Sequence, residues 1–218
     1  DVRPVAVGIL ALLLGLSRTP GAQNWLPWGP HFFYRALVTH VVLSFEVWYL
    51  ASLGVLSVLA APAGRGSDRL GRIGMSLGLA GVVLLLIPAL AAQGAPSLNN
   101  YVPVVGHPLF YVGLGLHALG VAIAAIRPLA ILVRRPRLPV PFAPVPFAPV
   151  PFAIACAALT YMAALVCFLL AWALIPAGTD PDLFNERVFW GGGHVLQTLN
   201  TLILMIAWQV LSEREYGA

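Results

Sequence analysis

Long apolar runs separated by short polar or proline-rich stretches make up almost the whole chain. They occupy Val2–Leu16, His31–Ala60, Leu70–Ala92, Val102–Val133, Pro151–Ile175 and Phe184–Leu211. A helix needs roughly 20 apolar residues to cross the hydrocarbon core of a bilayer, and the last five runs reach that length. The first, whose apolar part is Val5–Leu16, falls short and reads as an incomplete span. A signal peptide is the competing reading, but its basic leader and small-residue cleavage site are not convincing here. In lipid every backbone polar group must be satisfied within its own segment, so each run is expected to be α-helical. The expectation is an all-α, polytopic bundle of about six spans forming one membrane domain over residues 1–218.

Composition strengthens this picture. Hydrophobic residues make up 60% of the chain and charged residues only 9%, against about 25% charged in an ordinary soluble domain. The net charge of +4 rests on twelve arginines and no lysine. They stand singly or in short groups, with neither the continuous basic face nor the aromatic interleaving of a nucleic-acid surface. Their placement speaks instead to orientation. Arg65, Arg69 and Arg72 lie between the second and third runs, and Arg127, Arg134, Arg135 and Arg137 between the fourth and fifth. The stretch Gln93–Tyr101 has no arginine, and the loop after the fifth run sets Asp180, Asp182 and Glu186 against Arg187. The positive-inside rule puts the arginine-rich loops in the cytoplasm, with the N-terminus and Arg214, as expected of a multi-pass protein of the bacterial inner membrane.

Two local features add little chemistry. Pro139–Ala153 repeats Pro-Val-Pro-Phe-Ala and is expected to be an extended cytoplasmic strap, a linker or a ligand for a proline-recognising partner. Cys156 and Cys167 lie in one run, about 16 Å apart on a helix, too far for a disulfide. They read as small buried apolar side chains.

The histidines are more informative. All five map to the outer half: His31 and His107 near span ends, His40, His117 and His194 deeper. At 1.5 Å per residue His40 lies about 13 Å below its span end and His194 about 15 Å, with His117 at a similar level. Three imidazoles from three helices are thus expected in one layer, where an intramembrane His marks either an interhelical hydrogen bond or a metal or haem ligand. His194 follows Gly191, Gly192 and Gly193, which let a planar cofactor or a helix come close. Thr198 and Thr201 fall within about 40° of His194 on a helix, with Gln197 beside them, a stripe that relays protons or binds helices together. Glu46 is the only carboxylate deep in a run and is a second candidate for the proton path, or a structural hydrogen-bonder.

With these residues in place, Tyr34-Arg35-Ala36-Leu37-Val38-Thr39-His40, Asn99-Asn100-Tyr101-Val102-Pro103 with His107-Pro108-Leu109-Phe110, and Phe189-Trp190-Gly191-Gly192-Gly193-His194 resemble the N-terminal half of subunit I of the haem-copper oxidase superfamily, which includes cytochrome c oxidases and nitric oxide reductases. The resemblance implies that His40 is an axial ligand of a low-spin haem and that His194 binds the copper beside a high-spin haem. It implies further oxidase subunits and a cytochrome c or quinol donor as partners. His117 inherits no role. The family's ligands on later helices have no counterpart here, and where many members carry a tyrosine four residues after the copper ligand, this chain has Thr198.

The leading expectation is therefore half of a terminal oxidase-like catalytic subunit that passes electrons through the low-spin haem to a haem-copper site reducing oxygen to water. The alternatives are a haem b electron-transfer anchor with bis-His ligation among His40, His117 and His194 and no copper, and a transporter or scaffold without cofactor.

Overall fold

The computed structural model describes residues 2–22, 25, 31–61, 64–99, 102–133 and 149–216. Helix α1 spans Val2–Arg18; its 17 residues reach about 25 Å, short of the roughly 30 Å hydrocarbon core. A continuous rod follows, built of α2 (His31–Val41), a π-helical segment (Val42–Val47) and α3 (Trp48–Ala60). Helix α4 (Arg65–Leu90) starts after Gly64, whose φ of 148° suits a residue without Cβ, and carries Pro88 in its last turn.

The run Val102–Val133 does not form one helix. Its first residues pair as β2 (Val102–Gly106) with β1 (Ala95–Asn99) in an antiparallel hairpin, Asn99 opposite Val102 and Ala95 opposite Gly106. Pro103 and the β-branched Val102, Val104 and Val105 favour extended backbone, and the residue before a proline is driven from the helical region. His107, before Pro108, accordingly sits at φ −145°, ψ 136° and caps α5 (Pro108–Ala125). The chain then turns at Ile126–Leu129 into the short α6 (Ala130–Val133).

Helix α7 covers Pro149–Leu174 and α8 covers Pro181–Tyr216. The extended strap expected over Pro139–Ala153 thus already turns helical at Pro149. Proline is tolerated in a first turn because the N–H it lacks would have no intrahelical acceptor there. Residues 139–148 lie outside the described residues, as do Asn100, Tyr101, Arg134, Arg135 and Arg137.

The fold is all-α apart from the hairpin. Among the described residues five helices are long and apolar enough to cross a membrane: Phe32–Ala60, Arg65–Leu90, Pro108–Ala125, Val150–Leu174 and Pro181–Ser212. Their outward surfaces carry Leu59, Leu170, Trp172 and Trp208, the pattern of a bundle solvated by lipid. Two cores lie inside. Phe32, Ala36, Leu43, Leu85, Val105 and Phe110 fill the end beneath the hairpin, and Leu53, Ala157, Tyr161, Leu199 and Ile203 fill the rest. At the opposite end the first turn of α4 meets the turn following α5. There Arg127 is buried, its Nε donating to the Ala124 carbonyl (3.3 Å) and its Nη1 to the Ser67 carbonyl (3.0 Å).

Candidate functional site

Helices α4 and α5 set the geometry of the centre because they touch backbone to backbone. A Cβ on Gly81 would stand 2.5 Å from the His117 amide nitrogen, and one on Gly120 would stand 2.4 Å from the Gly74 carbonyl oxygen. That approach seals His117, 2% exposed, between the helices, with its Nδ1 3.2 Å from the Gly78 carbonyl. A carbonyl only accepts, so Nδ1 carries the proton. This contact ties α4 to α5.

His40 has a different setting. It lies at the end of α2, two residues before the π-helical segment, and is half-buried. Its Nδ1 is closed off from solvent and has no hydrogen-bond partner, and the hydroxyl of the neighbouring, fully buried Thr39 is likewise unpartnered. Buried polar atoms are nearly always satisfied by protein, water or a ligand. The π turns are themselves frequent at functional sites.

His194 faces outward from α8. Its Nδ1 lies 2.7 Å from the Trp190 carbonyl, and the two rings sit 4.2 Å apart between centroids, tilted by 47°. Nδ1 is again the donor, which leaves Nε2 as a lone-pair nitrogen on an exposed surface. The three preceding glycines divide their work. Gly192 packs on α7, where a Cβ would stand 2.4 Å from the Phe168 ring, while Gly191 and Gly193 have open space beside them. Thr198 and Thr201 are exposed on the same helix, and their hydroxyls donate back to the His194 and Gln197 carbonyls, each at 3.3 Å.

Glu46 sits half-buried in the π-helical segment, and Tyr161 of α7 is fully buried. The Tyr161 hydroxyl donates to the Ala118 carbonyl at 2.8 Å, and the Asn200 amide on α8 reaches the Phe45 carbonyl at 3.5 Å. His107 is a helix cap, its Nδ1 accepting from the Leu109 amide. Cys156 and Cys167 are free and half-buried.

The three deeper imidazoles therefore do not converge. Among the described residues no three His, Cys, Asp or Glu side chains gather to hold a metal ion, since His117 is taken by the glycine seam and His194 points away from the bundle. Tyr161, Asn200, Thr39 and Ser57 joined the picture only through packing. Their signal in the sequence was weak, a lone polar residue within an apolar run.

The hairpin end is held by polar ties. Arg35 Nε donates to the Gly94 carbonyl at 2.8 Å, Asn99 Nδ2 to Glu186 Oε2 at 2.8 Å, and the Tyr111 hydroxyl to Asn185 Oδ1 at 3.0 Å.

No family model matches the chain, and no solved structure matches it. It is similar to an uncharacterized protein of Aquifex aeolicus (strain VF5), 28% identical over 209 residues, covering 95% of this chain and 50% of the relative. It is also similar to an uncharacterized protein of Rickettsia prowazekii (strain Madrid E), 23% identical over 234 aligned positions, covering 92% of this chain and 42% of that protein. The chain thus spans about half the length of the curated relatives it matches.

Proposed function

We propose that this chain forms half of a haem-copper oxidase-like catalytic unit in a bacterial inner membrane, with its arginine-rich end in the cytoplasm. In this reading His40 is an axial ligand of a low-spin haem and His194 a ligand of copper. The observation that carries it is the state of His194. A metal-binding imidazole characteristically donates its second ring N–H to a carbonyl or carboxylate, which fixes the tautomer and aims the other nitrogen. The bond from Nδ1 to Trp190 does this, and the open space beside Gly191 and Gly193 leaves the face clear for a flat macrocycle. His40 takes its role in this reading from the resemblance of Tyr34–His40, with a half-buried ring near the end of α2.

When bound, a haem-copper pair supplies the electron and oxygen chemistry, reducing oxygen to water. The chain's own part is to present one nitrogen to each metal from two elements and to handle protons. Thr198 and Thr201 below His194 and Glu46 in the rod are the candidate proton-handling groups. The remaining ligands come, in this reading, from sequence corresponding to the unmatched half of the longer relatives, with other subunits and a cytochrome c or quinol donor as partners.

The test is the visible spectrum and metal content of the protein purified from its native membrane. Reduced low-spin haem absorbance lost in His40→Ala, and copper lost in His194→Ala with that haem retained, are the expected results. Haem without copper would move the assignment to the electron-transfer anchor, and neither haem nor copper would end it.

A further inference from the structure

Among the described residues, the arginine-rich end of the bundle holds a buried cation with no counter-ion. Arg127 lies just past the end of α5 and is 8% exposed. Its guanidinium sits over Gly71 of α4, where a Cβ would stand 2.9 Å from Nη1 and 3.3 Å from Nη2. Nε donates to the Ala124 carbonyl and Nη1 to the Ser67 carbonyl, with the Ser67 hydroxyl 3.4 Å from Nη1. Nη2 is buried and has no partner. Neutral carbonyls leave the charge itself uncompensated, and Asp68, the acidic residue in the first turn of α4, is exposed and makes no ion pair with it. Buried charges are ordinarily paired.

A second, independent observation comes from the start of α4. Gly64 at its N-cap has no side chain to accept from the first amides of the helix, so donors and the positive end of the helix dipole face outward from the turn that Arg127 touches. Beside Gly66 the space is open. Such a terminus attracts anions. Both helices leave their membrane-spanning stretches here, α4 at Arg65 and α5 at Ala125, which sets the junction at the level of lipid headgroups rather than of hydrocarbon. Exposed Leu70, one turn on from Ser67, and exposed Ile126, next to Arg127, put apolar surface beside it. Arg65, Arg69 and Arg72 are exposed and share the face of α4 turned away from Ser67, so they draw anionic lipid to this end without entering the corner.

We propose that this corner binds the phosphate group of an anionic phospholipid. One phosphate oxygen accepts from Arg127 Nη2, and the acyl chains lie along the apolar surface of Leu70 and Ile126. The phosphate reaches Nη2 by displacing the Ser67 hydroxyl, whose 3.4 Å contact is long for a hydrogen bond. Gly71 makes the site possible, because a side chain there would push the guanidinium off α4. Basic pockets between spanning helices are places where anionic headgroups bind. The site does not depend on the haem and copper assignments.

The test is titration of the delipidated, detergent-purified protein with dioleoyl phosphatidylglycerol, read by native mass spectrometry. One such lipid is expected to bind more tightly than dioleoyl phosphatidylcholine. Arg127→Gln is expected to weaken that binding by about tenfold or more, the loss for a hydrogen bond to a charged group. Arg69→Gln, on the outward face, is expected to weaken it by only about twofold. Gly71→Ala keeps every arginine but crowds the guanidinium, and it is expected to weaken binding as Arg127→Gln does. Unchanged circular dichroism shows that a variant folds. Wild-type affinity for phosphatidylglycerol in either folded variant, Arg127→Gln or Gly71→Ala, overturns the proposal, as does equal affinity of the wild type for the two lipids. Inorganic phosphate that raises the thermal midpoint as far as the lipid does, and loses that effect in Arg127→Gln, would show a site for the free anion and overturn the lipid assignment.

Discussion

Single glycines decide how tightly the centre closes. Gly81→Ala must push a methyl against the backbone of α5, and overpacking of this kind costs about 1–3 kcal/mol. The expected outcome is a lower thermal midpoint in detergent, whereas Gly115→Ala, with nothing within 4 Å of its Cβ position, should hold or raise the midpoint because alanine is the better helix former. Arg127→Leu is a second residue-scale case. It strips the Ala124 and Ser67 carbonyls of a charged donor in a buried corner, and a lost hydrogen bond of that kind costs about 1–3 kcal/mol. A midpoint equal to wild type would show that the guanidinium contributes nothing there. At this scale the sequence announced His40, His194 and Glu46 by being polar in apolar runs. It could not announce their surroundings, because the direction of His194 depends on which face of α8 packs on α7, and Gly192 sets that through Phe168. His117 carried the same sequence signal as His40, yet it serves packing, and only the partner helix distinguishes the two.

At the level of elements, hydropathy recovered the helices and failed at the hairpin. The run Val102–Val133 is apolar throughout, so a count of hydrophobic residues reads straight across a boundary. Pro103, Pro108 and three valines carry the local information that breaks it. The same overconfidence in reverse made Pro149–Ala153 look unsuited to a helix, when a first turn accepts proline. The hairpin's attachment gives a prediction of its own. Arg35 ties α2 to Gly94 at its base, so Arg35→Leu should speed amide hydrogen exchange at Ser97 and Val104 while leaving α4 and α5 protected. Equal protection of the hairpin in wild type and variant would show that its packing on α2 and α8 suffices without the tie.

For the molecule as a whole, the claim open to direct measurement is sidedness. The α3–α4 and α7–α8 connections lie at opposite ends of the bundle, so Arg69→Cys and Thr179→Cys should react with a membrane-impermeant thiol reagent from opposite sides of a sealed vesicle, in a Cys156→Ala, Cys167→Ala background. Labelling of both from one side would contradict a bundle that crosses the membrane.

Helix α8 runs for 36 residues, about 54 Å of unbroken helix at 1.5 Å per residue. A bilayer with its headgroups accounts for about 40–45 Å, and even a helix lying at the usual tilt has turns left over. The helix closes on Ser212-Glu213-Arg214-Glu215, a polar tip suited to water, at the end of the bundle where the arginines gather. Any soluble body anchored there would be held at a fixed height and would sense a rotation of the segment that carries His194, because a continuous helix transmits twist from one end to the other.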